Sequence, residues 1–389
     1  MVEPTPVEPI SESDNSGVPT TVHPFDVPWA RIVALVLGFR VLLTIVGSAT
    51  YLLLPQAGQP TGPAAILLGP WRHFDALRFT QIAAHGYAAD GLNTAYMPIY
   101  PFLIRVVSAP LFGHYLTAGL VVSNLGCVLG IGLLWRWVAD DFGERVAWRA
   151  VLVMLLYPDS FYLLGAYSES VFLAFCAGAL LAVRRDRLVL AGVLALLAAL
   201  TRLQGLVLIV PLLLALRGRR EPAALVRGMG AAALPALGLL VYQKVLSGWL
   251  GGGAILDTFQ EKWHIALLAP WQTIQQYVTV IRSPRWHLID SPTANYVLLW
   301  DLVAALTVLT VLLLGARRLG LDLTLFGIAA WCFALSRYLS TGRYMLAVLP
   351  AFIVAALWLD DTRLRRLAWF AIPLLFFFTA EFAQGSWLD

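Results

Sequence analysis

Residues 188–220 read LVLAGVLALLAALTRLQGLVLIVPLLLALRGRR, an apolar run with Arg184, Arg185 and Arg187 just before it and Arg217, Arg219 and Arg220 at its end. A helix at the surface of a soluble domain would carry a polar face, yet only Thr201-Arg202-Leu203-Gln204-Gly205 interrupts the leucines and alanines. Lys and Arg mark the cytoplasmic ends of membrane segments, so a stretch bounded by such clusters on both sides has to turn back on itself. Two short helices, 188–201 and 203–216, meeting within the membrane satisfy both observations. A lone guanidinium at the meeting point needs an anion, and Glu169, Asp159 or a ligand phosphate are the candidates.

The rest of the chain repeats the pattern. Of its 389 residues, 59% are hydrophobic and 13% charged, and the mean hydropathy is +0.76, which excludes a soluble globular enzyme. Further apolar segments lie at about 29–54, 115–138, 146–165, 167–183, 223–246, 292–314, 321–338, 342–359 and 366–381. They predict an all-α, polytopic membrane bundle of about 10 to 11 transmembrane or re-entrant helices. The remaining basic clusters (Arg136, Arg145 and Arg149; Arg227; Arg317 and Arg318; Arg363, Arg365 and Arg366) then face the cytoplasm with the N-terminus. Residues 1–28, rich in Pro, Ser, Thr and acids, read as a disordered cytoplasmic tail ahead of a single domain over 29–389. The formal net charge of +4 is scattered in short loop clusters, which excludes a nucleic-acid patch. The stretch 97–113, with Pro98, Pro101, Pro110 and Arg105, suits a re-entrant or surface segment. Cys127, Cys176 and Cys332 lie in apolar segments without metal or disulfide spacing and read as core residues.

This topology sends the polar residues that are not loop charge to the extracytoplasmic side: the loop 55–96, the Tyr167-Ser168-Glu169-Ser170 turn, the Arg202 break, the loop 247–291 and Ser336–Arg343. One-sided placement suits a site at that surface better than an alternating-access pathway. In the first loop Trp71, Phe74, Leu77 and Ile82 make an apolar helical stripe, leaving Arg72 and Asp75 opposite; Asp75 either faces a cleft or pairs with Arg72 or Arg78. Thr94–Arg105, which includes Tyr100, is either an interfacial aromatic anchor or a wall for a lipid chain or sugar. Asp159 and Glu169 are carboxylates in or near the membrane, costly unless hydrogen-bonded or functional, and Glu169 also suits a helix cap. Arg337 and Arg343 run against the positive-inside trend and invite an anionic ligand, or pairing with Asp257, Glu261 or Asp290. His73, His85, His264 and His287 show no recurring ligand spacing, so no metal or other cofactor is indicated.

The order Trp71, Phe74-Asp75, Ile82-Ala83, Gly86-Tyr87, then Met97-Pro98-Ile99-Tyr100-Pro101, Ser123-Asn124, Tyr157-Pro158, Tyr167-Ser168-Glu169-Ser170-Val171-Phe172, Thr201-Arg202 with Gly205, and Gly342-Arg343-Tyr344 with Pro350 resembles the PIG-V-like mannosyltransferases, the GPI mannosyltransferase 2 family. Two motifs depart from that pattern: the aromatic pair before the Pro-rich motif reads Tyr96-Met97, and the Arg-Ser/Asn-Gly motif reads Arg202-Leu203-Gln204-Gly205. The resemblance implies a GT-C glycosyltransferase fold and a polyprenyl-phosphate-linked sugar donor, usually mannose. It further implies inverting transfer to a lipid or glycan acceptor on the extracytoplasmic side. Carried onto this chain, it makes Asp75 the general base and Arg202 and Arg343, with Arg337 behind them, the ligands of the donor phosphate. Trp71, Arg72, Tyr100, Asp159, Tyr167, Glu169, Gln204 and Tyr344 then line the sugar or acceptor pocket. Only Lys244 and Lys262 stand against many arginines, a usage that suits a GC-rich bacterium and its plasma membrane. A transporter or flippase of lipid-linked saccharides is the alternative, and it requires functional polar residues on both faces.

Overall fold

The computed structural model of the chain describes residues 27–56, 58–87, 93–250, 268–283, 292–338 and 340–386, so nearly all of the acidic tail and much of the loop 247–291 lie outside the described residues. Every regular element among them is helical. In chain order these are α1 Trp29–Leu53, α2 Pro63–Leu68, α3 Asp75–His85, α4 Ile99–Ser108, α5 Tyr115–Phe142, α6 Glu144–Leu156, α7 Glu169–Arg184 and α8 Leu188–Ala199. There follow α9 Ile209–Leu214, α10 Pro222–Leu250, α11 Pro270–Arg282, α12 Pro292–Ala334, α13 Thr341–Tyr344, α14 Leu349–Trp358 and α15 Asp361–Ala383. Among the described residues five helices (α1, α5, α10, α12 and α15) are long and apolar enough to cross a membrane, or six if the pair bent by 79° at Val348 is one span. Val33, Leu37, Val41 and Ile45 of α1, Leu240 and Val241 of α10, and Trp369 and Phe370 of α15 stay exposed, a belt that water would penalise and hydrocarbon would not.

The breaks sit where backbone chemistry puts them. Gly143, at φ 86°, separates α5 from α6. Pro158 forces Tyr157 into extended backbone, so the apolar stretch 146–165 is realised as α6 followed by a 3₁₀ turn over Pro158–Leu163. Gly320 (φ 76°, ψ 170°) divides α12 into two helices, in keeping with the two apolar segments that flank Arg317 and Arg318. The stretch 97–113 contains only the ten-residue α4, about 15 Å long and too short to span. Ala199 ends α8, a 3₁₀ turn covers Leu203–Leu208 and α9 carries the chain back, the two-helix break expected for residues 188–216.

Ion pairs show where the basic clusters sit. Arg184 meets Asp141 at 2.7 Å, Arg185 meets Asp140 at 3.2 Å, Arg217 meets Asp322 at 3.3 Å and Arg149 meets Asp361 at 2.7 Å, while Arg219 reaches Asp186. These contacts join the ends of α5 and α7, the turns after α7 and α9 and the Gly320 break of α12, and separately α6 to the start of α15, so the clusters gather at one end of the bundle. Glu169 opens α7 and Arg184 closes it, so Glu169 lies about 22 Å away, at the other end. Close helix packing holds that axis in place: a Cβ on Gly126 or Gly130 of α5 would stand 3.0 Å from the backbone nitrogen of Val171 or Ala174 in α7.

Candidate active site

Asp75 begins α3, and the chain reaches it through a strained approach. Trp71 closes a 3₁₀ turn, 1% exposed, with the Arg40 guanidinium 4.4 Å from its ring. Phe74 then adopts φ 47°, ψ −121°, a conformation that a side chain resists and that persists only where the surroundings enforce it. The helix therefore starts at Asp75, with its carboxylate on the N-terminal turn where backbone N–H groups favour negative charge. The buried face of α3 is Ala76, Phe79, Ile82 and Ala83, while Leu77 is exposed. This corrects the expected stripe of Trp71, Phe74, Leu77 and Ile82, because the helix begins four residues after Trp71.

Neither Arg72 nor Arg78 pairs with Asp75. The Tyr96 hydroxyl donates to its Oδ1 at 2.7 Å and Arg343 Nη1 donates to its Oδ2 at 2.9 Å. Burial pushes the carboxyl pKa up, but the Arg343 charge, the hydrogen bonds from Tyr96 and Arg343 and the more distant Arg202 charge outweigh it, so the group sits below the usual carboxylate value and is ionised at neutral pH. Phe79 stacks edge-on against Tyr96 at 5.1 Å and against Tyr100 at 4.8 Å, which fixes the Tyr96 hydroxyl over Asp75. Tyr100 itself turns away, its hydroxyl 2.6 Å from Ser123 Oγ and 3.1 Å from the Gly119 carbonyl.

Arg343 carries the network inward. Its guanidinium lies 4.6 Å from the rings of both Tyr162 and Tyr167, and its Nε donates to Glu169 Oε1. Arg202 Nη1 donates to the same oxygen and, at 3.2 Å, to Ser168 Oγ. Glu169 thus supplies the buried guanidinium of the 188–216 break with one of the anions that the sequence offered it, and the bridging order is Asp75, Arg343, Glu169, Arg202. Arg202 reaches inward because its backbone is extended (φ −152°, ψ 138°) between α8 and the 3₁₀ turn. The break needs Gly205, since a Cβ there would stand 2.2 Å from the Ala199 nitrogen. Gln204 Oε1 accepts from Arg202 Nε at 2.8 Å, and Tyr344 is stacked between Arg202 (4.8 Å) and Arg337 (4.1 Å).

A second set of groups holds the turn that presents Arg343. Ser340 is left-handed at φ 58°, and the Gly342 N–H donates to Asp301 Oδ1 at 2.6 Å. Tyr277 of α11 donates to Asp301 Oδ2 at 2.8 Å and lies 2.8 Å from Thr341 Oγ1. Asp159 accepts from Trp300 Nε1 at 2.7 Å and stands beside Gly342, whose own Cβ would lie 2.6 Å from Trp300 Nε1. Sequence reasoning named Tyr96 only as part of a motif and passed over Asp301 and Arg40. Each is a polar side chain within or beside an apolar stretch, and Asp301, 2% exposed in α12, was the clearest signal. Arg40 sits inside α1 and donates to the Leu164 carbonyl at 2.8 Å. Of the residues named from sequence, the fold brings together Asp75, Glu169, Arg202, Gln204, Arg343, Tyr167 and Tyr344, with Arg337 at the edge. Arg72 is exposed and makes no ion pair among the described residues, and Trp71 stands behind Phe382, 6.3 Å from its ring.

Beside the network is a cavity whose void, mouth included, is about 300 Å³. Glu169, Arg202, Gln204, Arg343 and Tyr344 form its polar end, and Leu163, Phe172, Leu173, Cys176, Leu346, Ala347 and Leu349 form its walls. Guanidiniums at the head of an apolar slot can hold an anion that carries a hydrocarbon tail, and an ionised carboxylate next to them can accept a proton. Among the described residues no group of three His, Cys, Asp or Glu side chains converges as a metal site; His264 and His287 lie outside them.

No protein-family model and no curated protein matches the chain. Among solved structures it is similar to ArnT from Cupriavidus metallidurans bound to undecaprenyl phosphate, with TM-score 0.49 and 16% identity over 86% of this chain and 62% of that one. It is also similar to the archaeal oligosaccharyltransferase AglB from Archaeoglobus fulgidus in complex with an inhibitory peptide and a dolichol-phosphate, with TM-score 0.44 and 13% identity over 91% of this chain and 56% of that one. The chain therefore spans less than two thirds of the length of these structures.

Proposed function

We propose that the chain is a membrane glycosyltransferase of the GT-C type, PIG-V-like, that moves a sugar, mannose by the sequence resemblance, from a polyprenyl-phosphate donor to a hydroxyl of a lipid or envelope glycan. The observation that carries the reading is the ordered run Asp75, Arg343, Glu169, Arg202, whose last three members line an apolar-walled cavity. The basic clusters lie at the opposite end of the bundle, and the positive-inside rule puts that end in the cytoplasm and the site on the extracytoplasmic side.

In this reaction the acceptor oxygen attacks the anomeric carbon as the bond from that carbon to the phosphate oxygen breaks, and the electron pair of the broken bond stays on the phosphate. Asp75, ionised and held in place by Tyr96 and Arg343, takes the proton of the attacking hydroxyl. Polyprenyl phosphate leaves as a stable anion and needs charge stabilisation more than protonation, a role for Arg202 and Arg343 with Arg337 at the edge. Attack opposite the leaving phosphate inverts the anomeric centre. Gln204, in the cavity lining beside Arg202, faces the sugar. A flippase of lipid-linked saccharides would use polar groups at both ends of the bundle, whereas this network is confined to one.

The test is transfer from radiolabelled polyprenyl-phosphate mannose into lipid extract by purified protein, comparing wild type with Asp75→Asn. The amide keeps the shape but cannot take the proton, so labelled product is expected from wild type and a loss of at least about 100-fold in the variant, within the range of a positioned base. Normal turnover by a folded Asp75→Asn variant removes Asp75 as the base, and absence of donor binding to wild type removes the transferase reading.

A further inference from the structure

Two polar atoms at the head of the cavity are left over once the ion pairs are made. Arg202 Nε can only donate, so its 2.8 Å contact fixes the Gln204 amide with Oε1 toward Arg202 and Nε2 turned away. Nε2 is buried and has no hydrogen-bond partner among the described residues. Glu169 spends Oε1 on both Arg202 and Arg343, and its Oε2 is likewise buried without a partner. Both residues line the cavity and are 5% and 4% exposed. A buried donor and a buried acceptor left open each cost about 1–3 kcal/mol, and native structures keep such pairs where something fills them.

The chemistry of the two atoms narrows what that is. A phosphate satisfies the amide N–H but is repelled by Glu169 Oε2. A cation satisfies Glu169 but faces the amide hydrogens and two guanidiniums. A neutral group bearing hydroxyls satisfies both, because each hydroxyl accepts from one side and donates to the other. Gln204 and Glu169 both bind Arg202, through Nε and Nη1, so their open atoms belong to one polar cluster. We infer that Gln204 and Glu169 form a hydroxyl-reading subsite that selects the sugar of the donor, Gln204 donating to one ring hydroxyl and Glu169 accepting from another. The inference rests on the glycosyltransferase reading and deepens it: the polyprenyl phosphate supplies anchoring and the sugar hydroxyls supply selectivity.

The experiment measures binding and transfer with undecaprenyl-phosphate mannose, with its monodeoxy analogues and with undecaprenyl phosphate alone, on wild type and Gln204→Leu. A site built around a hydroxyl rejects the analogue that lacks it strongly, so at least one deoxy donor is expected to lose about 100-fold or more in kcat/KM on wild type. Gln204→Leu is expected to lose a similar factor with mannose and little further with that one deoxy donor, the non-additivity of two partners in a single contact. The deoxy series on wild type stands alone if the leucine variant fails to fold. If every deoxy donor performs like the parent while undecaprenyl phosphate still binds, the lipid-phosphate reading survives and the hydroxyl subsite is overturned. If neither lipid binds, both are overturned together.

Discussion

Glu169→Gln is the most searching perturbation of this fold. The substitution keeps the volume and one carbonyl acceptor but removes the negative charge shared by Arg202 and Arg343, which are 9% and 3% exposed. Arg343 keeps Asp75 at 2.9 Å, so most of the loss falls on Arg202, where the neutral partners Ser168 at 3.2 Å and Gln204 at 2.8 Å remain. Leaving one member of a buried ion pair uncompensated costs about 3–5 kcal/mol, a large share of the roughly 5–15 kcal/mol that holds a typical domain together. At about 2–4 °C per kcal/mol, the midpoint of thermal unfolding should fall by about 10 °C. The assay is helix loss by circular dichroism in detergent, with Arg202→Gln and the double variant measured alongside. The double variant removes the stranded charge and should be more stable than the sum of the single losses predicts. A midpoint within about 2 °C of wild type for Glu169→Gln, or strict additivity in the double variant, refutes the idea that Glu169 neutralises the two guanidiniums.

Two further outcomes can be checked directly. Tyr96→Phe removes a hydrogen bond that lowers the Asp75 pKa, so the acid limb of the transfer rate should move to higher pH; wild type, with its carboxyl depressed, should lose activity only below the usual carboxylate range, and coincident pH profiles would dismiss the contact. Gly342→Ala places a Cβ 2.6 Å from Trp300 Nε1 and 3.1 Å from Asp159 Oδ2, so the turn carrying Arg343 must shift. That overpacking should cost about 1–3 kcal/mol of stability by thermal unfolding and depress transfer at least tenfold, and a variant with wild-type turnover would mean that the turn does not position Arg343.

Much of this was legible in the sequence because it depends on local composition. The leucine- and alanine-rich runs between arginine clusters mark the helical segments, and Arg202 stood out because a guanidinium there had no local use. Asp75 stood out less by pattern than by family resemblance, and its true partners were hidden. Helical spacing offered Arg72 and Arg78, the nearest cations along the chain, whereas Tyr96 lies 21 residues away and Arg343 lies 268. The strained Phe74, which decides where α3 starts and hence which face it buries, has no sequence signature at all.

The sequence by itself determined the solvent, the all-helical architecture and the end of the bundle at which charge collects, since hydrophobic transfer and backbone hydrogen-bond satisfaction act residue by residue along the chain. Only the tertiary structure decided which charges meet. Glu169 could have capped its own helix, Asp159 could have taken Arg202, and Arg343 could have paired with the loop 247–291. An ion pair forms between groups that packing brings within reach, and here the close contact of α5 with α7 and the turn held by Asp301 and Tyr277 bring Glu169 between two arginines and leave Asp75 facing one of them.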